Sequence, residues 1–273
     1  MLGYLELTAS AVLYGIGIVA QSIAARRADQ RSGLGLIARL ASDRLYLLGF
    51  AGQVGGFVLA FLARAELPLY LVQAGSSSAI GLATVFGVLV LKWRVRAVEA
   101  AVLVVMAIGL VLLAGASAPS VARPLTPTMV AALVGVLVLS ALLAAGTRSV
   151  NAVVSAAVPA GIAFAVVAIA GRSLANGDLL ELPWQPAAWV LLLAAVLGQA
   201  LLAVALQRGS ATSTVATMDA TTMVLASVTG MAFMGDQVAQ GRHWWVVVGL
   251  ALVVLGVLVL GSAHRTVQVK ELV

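Results

Sequence analysis

The sequence predicts an all-α, polytopic membrane protein of about nine transmembrane helices with an inverted internal repeat. Three observations predict it. Hydrophobic residues fill 62% of the 273 positions and charged residues only 10%, whereas a soluble domain carries about 25% charged residues to coat its surface. The apolar residues fall in runs of about 20, the length of a helix that crosses the hydrocarbon core. Two tracts of the chain also resemble each other.

The runs are 4–25, 46–63, 68–91, 97–116, 128–146, 150–171, 187–206, 211–234 and 244–263. None shows the period-two alternation of a membrane barrel, so helices are left to satisfy the backbone. The leading MLGYLEL carries Glu6 and no basic residue, and its apolar stretch runs on to Ala25. That reads as a first spanning helix and not as a cleaved leader. The stretch between the first two runs, RRADQRSGLGLIARLASDR, is too polar to span, although a short half-buried helix at about 33–42 fits within it. The segment SLANGDLLELPWQP, 173–186, reads as a connecting loop resting on the membrane interface.

Orientation follows from the basic residues. With alternating helices, the side holding the C-terminus carries Arg26, Arg27, Arg31, Arg39, Arg44, Lys92, Arg94, Arg96, Arg148, Arg208, Arg265 and Lys270. The other side holds Arg64, Arg123, Arg172 and Arg242, out of 16 basic residues in all. Positive charge stays inside, so the chain is expected in a bacterial inner membrane with its N-terminus outside and its C-terminus cytoplasmic. The net charge of +6 is a topology signal on this reading, and no nucleic-acid partner is expected.

The repeat pairs FLARAELPLYLVQAGSSSAIGLATVFGVLVLK, 61–92, with ALQRGSATSTVATMDATTMVLASVTGMAFMGD, 205–236. Without a gap, Arg64 meets Arg208, Gln73 meets Thr217, Gly75 meets Asp219, and Ser77-Ser78 meets Thr221-Thr222. Each tract follows a helix with Gly-Gln (Gly52-Gln53, Gly198-Gln199) and precedes another apolar helix. The loop assignment inverts the two copies, the repeat architecture of many secondary transporters. The organisation is then an N-terminal transmembrane half, 1–116, a Pro-rich linker, 117–127, a C-terminal half, 128–263, and a cytoplasmic tail, 264–273.

A helix ending in ALQRGSAT, a polar-centred helix ending in GD, and GLALVVLGVLVL after it resemble the drug/metabolite transporter (EamA-like) superfamily. In the first half, YGIGIVAQSIAARRA, 14–28, and LPLYLVQAGSSSAIG, 67–81, are similar to its NIPA-like branch and the actinobacterial relatives of that branch. The resemblance implies two inverted sets of five helices; here the second helix of the first set is missing.

Asp219 is the acidic residue well inside a run, while Glu6, Glu66, Glu99 and Asp236 fall at helix ends where water and headgroups solvate them. A charge at the bilayer centre costs about 2.5–3.5 kcal/mol on insertion scales. Thr212, Asp219, Thr222 and Thr229 fall along one helical stripe, which must face other helices or a water-filled cavity. Asp219 reads as a proton-coupling carboxylate, or as a protonated acid bonded to a neighbouring helix.

The candidate substrate-binding residues are Asp219, Thr222, Gln73, Ser77, Gln53, Gln199 and Tyr14; Gly52 and Gly56, at small-xxx-small spacing, read as a packing face. One carboxylate without a second acid is a thin site for a divalent cation, so a neutral, zwitterionic or amphipathic substrate suits better. Cysteine is absent, and the two histidines, His243 and His264, fall near opposite faces. No HExxH or Walker-type loop occurs, so no enzyme, metal or cofactor is expected.

The expected function is a secondary transporter of a small polar or amphipathic molecule, proton-coupled through Asp219. The alternatives are a non-transporting subunit of a cell-envelope assembly complex, a lipid flippase, and a magnesium-type cation transporter. The expected partners are membrane lipids and a small-molecule or lipid substrate, with a second copy or another membrane protein left open.

Overall fold

The computed structural model describes residues 1–27, 42–91, 96–146, 152–175, 177, 180–208 and 211–263. Among them are nine helical stretches long and apolar enough to cross a membrane. In chain order the helices are α1 (Leu2–Arg27), α2 (Arg44–Ala63), α3 (Leu69–Ser77), α4 (Ala79–Leu91), α5 (Ala97–Ala116), α6 (Pro127–Gly146), α7 (Ala152–Leu174), α8 (Pro186–Arg208), α9 (Ala211–Phe233) and α10 (His243–Ala263). Residues 33–41 of the short helix considered at 33–42 and the tail 264–273 lie outside the described residues, as does His264.

The run read as one helix over 68–91 is one candidate span, Leu69–Leu89, with an irregularity at Ser78. Its first part ends at Ser77 and the second begins at Ala79, with Ser78 as the joint. The Ser78 hydroxyl donates to the Gly75 carbonyl at 2.6 Å. A serine bonding back to its own helix in this way bends it.

Close crossings at small residues assemble the bundle. A Cβ on Gly17 of α1 would lie 2.7 Å from the Gly49 carbonyl of α2, and one on Gly49 would lie 2.8 Å from the Gly17 carbonyl. Gly109 of α5 and Gly249 of α10 have the same reciprocal relation, each 2.9 Å from the other's carbonyl. Without a hydrophobic force between helices in lipid, such close backbone approach supplies the packing energy. Gly52 lies near Leu13 and Gly17, and Gly56 against Tyr14 and the Ser10 carbonyl, so the Gly52/Gly56 pair lines the same seam.

Helices α3 and α7 form the centre. Leu69, Tyr70 and Val72 of α3 are fully buried, as are Ala163, Ala168 and Ala170 within or beside α7's alanine-rich middle. The outer helices turn apolar side chains outward instead: Phe50 and Val54 on α2, Val111 on α5, Leu142 on α6, Val196 on α8 and Val247 on α10 are all exposed. That is the pattern of a lipid-facing rim around a packed interior.

The loops sort by end. Gly3 N–H donates to the Glu66 carboxylate at 3.0 Å, and Ala239 N–H donates to the Ala116 carbonyl at 2.9 Å. The 117–126 stretch is no free linker. It lies across this end, its Ser117 paired with Val238 and its Arg123 N–H donating to the Met234 carbonyl at 3.1 Å. Helices from both sequence halves therefore pack as one bundle: α5 against α10, and α3 against α9.

Candidate functional site

Two polar centres lie inside this bundle, both built where α3 meets α7 and α9. The first is at the end that carries the 117–126 strap. Arg172, fully buried near the end of α7, donates through Nη2 to the Asp236 carboxylate, to the Ser120 carbonyl and to the Ser120 hydroxyl, each at 2.9 Å. Its Nη1 donates to the Arg64 carbonyl. The second Asp236 oxygen accepts the Leu69 N–H at 2.6 Å, at the first turn of α3. A carboxylate there satisfies an orphan helix donor and opposes the positive end of the helix dipole. Burial pushes the Asp236 carboxyl above its ordinary range, with Arg172 and the Leu69 N–H pulling it back.

Asp236 was expected to be solvated at a helix end. The structure corrects this, since its side chain and that of Arg172 are completely enclosed. The enclosure is tertiary. Gly235 takes a positive φ of 79° that turns the chain back over the helix end, and Gly230 lies against the carboxylate oxygen, leaving no room for a Cβ. The sequence signals were Gly-Asp closing an apolar run and one arginine closing another.

The second centre lies deeper. Asp219 is 14 residues before the end of α9 and Tyr14 is 12 residues into α1, so the two sit about 21 and 18 Å from that same end. Asp219 is half-buried, and its carboxylate faces the side chain of Ser77, the last residue of α3 before the joint. Gln73 lies one turn before Ser77 on the same stripe and is buried with it. The Oγ of Ser76 is buried without a hydrogen-bond partner.

Tyr14 is in electrostatic contact with both Arg64 and Asp219. Its ring rests on Gly56, where a Cβ would come within 2.9 Å of Cδ2. Gly56, Ala60 and Arg64 follow one another at four-residue spacing along α2 and its cap, a stripe of small residues ending in a guanidinium. Arg64 is 5% exposed, and its Nε and Nη1 have no hydrogen-bond partner. Arg64 was read from the sequence as a loop charge. Its burial was missed because α2 ends one residue earlier, and the side chain leans back toward the helix N-terminus.

The sequence-predicted residues thus separate. Ser77 faces Asp219 and shares its helix stripe with Gln73, while the Tyr14 ring rests on Gly56 in the α1–α2 seam. Thr222 is buried nearby, and its hydroxyl donates to the Gly161 carbonyl of α7 at 3.1 Å and the Met218 carbonyl of α9 at 2.9 Å. Gln53 lies in the α1–α2 seam, its Cγ 3.0 Å from where a Cβ of Gly17 would be. Gln199 is exposed on α8 and does not join them. Among the described residues, no three His, Asp or Glu side chains gather in a way that could hold a metal ion. Comparison with protein-family models, curated proteins and solved structures found no match.

Proposed function

We propose that this chain is a secondary transporter that moves a small polar or amphipathic molecule across a bacterial inner membrane by alternating access. The observation that carries the reading is the half-buried Asp219 carboxylate facing Ser77 where α3 gives way to α4. A scaffold gains nothing from a carboxylate at that depth. Ionisable residues inside a span face the bundle interior or a water-filled cavity, and transporters bind substrate near the midplane.

The two resembling tracts each contribute one partner: Ser77 comes from 61–92 and Asp219 from 205–236. Helices α3 and α9 run in opposite senses and touch, which supports an inverted repeat and membership of the drug/metabolite transporter superfamily. The termini are assigned by charge. Of the four basic residues on the strap side, Arg64 and Arg172 are buried, leaving Arg123 and Arg242 exposed. That end is the outer one on the positive-inside rule, with the N-terminus outside and the C-terminus cytoplasmic. Proton coupling runs through Asp219, which exchanges its proton as the cavity opens to each side in turn.

Mass spectrometry of the purified protein and of Asp219→Asn tests the reading. A small molecule or lipid bound to wild type and missing from a well-folded Asp219→Asn is the expected result. A stoichiometric protein partner, with no bound molecule and no effect of the substitution, would make this chain a complex subunit. An Asp219→Asn protein that keeps proton-dependent uptake would remove the coupling role.

A further inference from the structure

The strap over 117–126 is held by hydrogen bonds more than by burial. Pro119, Val121, Arg123, Pro124 and Thr126 are exposed, and within it only Ser120 and Ala122 are buried. Its anchors are polar. The Ser120 carbonyl and hydroxyl accept from Arg172 Nη2 at 2.9 Å. The Leu125 N–H donates to the Ser173 hydroxyl at 3.1 Å, and the Arg123 N–H to the Met234 carbonyl at 3.1 Å. The Tyr70 hydroxyl of α3 shares its proton between the Ala116 carbonyl at 3.3 Å and the Gln237 carbonyl at 3.1 Å. Segments with few buried apolar contacts are the ones that open locally.

The polar set behind the strap is also unbalanced in charge. It holds two buried guanidiniums, Arg64 and Arg172, and one buried carboxylate, Asp236. The two arginines adjoin: Arg172 Nη1 donates to the Arg64 carbonyl, and Arg64 Nη1 lies against the α7 backbone, 2.8 Å from where a Cβ of Gly171 would be. Asp236 is paired with Arg172, while Arg64 Nε, Arg64 Nη1 and Arg172 Nε have no hydrogen-bond partner. Polar groups enclosed in this way are costly. Lifting the strap breaks the bonds to Ser120 but lets water reach nitrogens that the closed arrangement leaves unbonded. The hydration gained offsets part of the bonding lost.

We propose that the strap is a latch, closed in this structure, and that Ser120, Arg172, Asp236 and the first turn of α3 release together when this end of the bundle opens. The bonds run in series, from Ser120 to Arg172, from Arg172 to Asp236, and from Asp236 to the Leu69 N–H at 2.6 Å. The start of α3 and the turn at 234–239 therefore loosen with the strap. The assignment rests on the transporter reading, for which it names the element that opens one face.

The test is hydrogen exchange of the detergent-purified chain, read by mass spectrometry. Peptides over 66–72, 117–126 and 234–239 are expected to exchange at one common rate, faster than the α5–α10 crossing at Gly109 and Gly249. The chain has no cysteine, so Ser117→Cys with Val238→Cys introduces a single thiol pair. These two positions face each other across an antiparallel bridge, where Cα atoms stand about 4.5–5.5 Å apart and a disulfide can close. Oxidation is expected to slow all three peptides by about tenfold or more, 66–72 included, although the disulfide does not touch it. Reduction restores the rate. Ser120→Ala removes one bond to a charged donor and is expected to speed all three by about tenfold; it serves if the thiol pair does not close.

The latch is overturned if the three peptides exchange only as slowly as the Gly109–Gly249 crossing, since they then open with the whole bundle. It is equally overturned if the disulfide or Ser120→Ala alters 117–126 and leaves 66–72 unchanged. Either result beside a molecule lost in Asp219→Asn removes the latch and leaves transport standing. A strap that opens as one unit in a chain shown to be a complex subunit keeps the latch and removes transport.

Discussion

One bundle holds two arginine–aspartate sets, and they are arranged in opposite ways. Arg172 and Asp236 meet at 2.9 Å with side chains wholly enclosed, and their remaining contacts are to Ser120, the Arg64 carbonyl and the first turn of α3. Arg64 and Asp219 form no ion pair among the described residues, and Tyr14 is in electrostatic contact with both. The first set joins five segments: the cap of α2, the first turn of α3, the strap, the end of α7 and the turn after α9. The second joins nothing. The first set matches its charges while still leaving Arg172 Nε without a partner; in the second, the interior carboxylate has no matching charge beside it among the described residues.

The same substitution made in both sets breaks the comparison most sharply. Asp236→Asn removes the counter-charge of an enclosed guanidinium, and breaking such a pair costs about 3–5 kcal/mol. A large fall in Tm and in yield is expected. Asp219→Asn keeps shape and a hydrogen-bonding group facing Ser77 while relieving a buried charge, so Tm is expected to hold or rise. Equal losses at both sites would erase the distinction. Replacing the whole pair by Arg172→Met with Asp236→Leu is expected to recover much of the stability lost by Asp236→Asn, because no charge is left stranded.

Gly161→Val comes next in size. A Cβ at Gly161 would lie 2.6 Å from Thr221 Cβ and 2.7 Å from the Met218 carbonyl. Helix α7 must therefore move off α9 beside Asp219. Overpacking of this kind costs about 1–3 kcal/mol, read as a lowered Tm. Because the movement is local to the deeper set, the Asp236 network is expected to stay intact.

The spans were legible because each is an apolar run of the right length, and α1, α2, α5, α6, α8, α9 and α10 begin and end within a few residues of where the sequence places them. The joint at Ser78 was not legible. Three serines in an apolar run read as continuous helix, and it is the Ser78 hydroxyl bonding back to the Gly75 carbonyl that marks the irregularity. Asp219 and Ser77 were legible as polar residues at midspan, and Tyr14 as a neighbour. Arg64, Arg172 and Asp236 were not, because side-chain direction and the strap's path decide their burial. Both depend on packing between segments far apart in sequence. Gln199 shows the reverse error, since repeat symmetry pairs it with Gln53 while α8 turns it outward.

Arg64→Met asks whether the unpaired charge is a liability to the empty protein. Methionine fills a similar volume without a charge to desolvate, so a gain on the order of 1 kcal/mol is expected, read as a higher Tm. A loss of stability would mean that Arg64 holds the bundle together through contacts beyond its unpartnered nitrogens. It would then belong with Arg172 as a structural cation.

Thr222→Val is the smallest effect and decides which side of the comparison Thr222 belongs to. Its one hydroxyl proton is shared between the Gly161 carbonyl across the helix pair and the Met218 carbonyl on its own helix. Hydrogen bonds between membrane helices average about 0.6 kcal/mol, because the separated helices also find partners. Valine keeps the shape and loses that bond, so stability is expected to fall by about that amount while a molecule bound to wild type is retained. Loss of the bound molecule at unchanged Tm would mean that the hydroxyl turns from Gly161 to the ligand, and would move Thr222 from the packing of α7 on α9 into the binding site with Asp219.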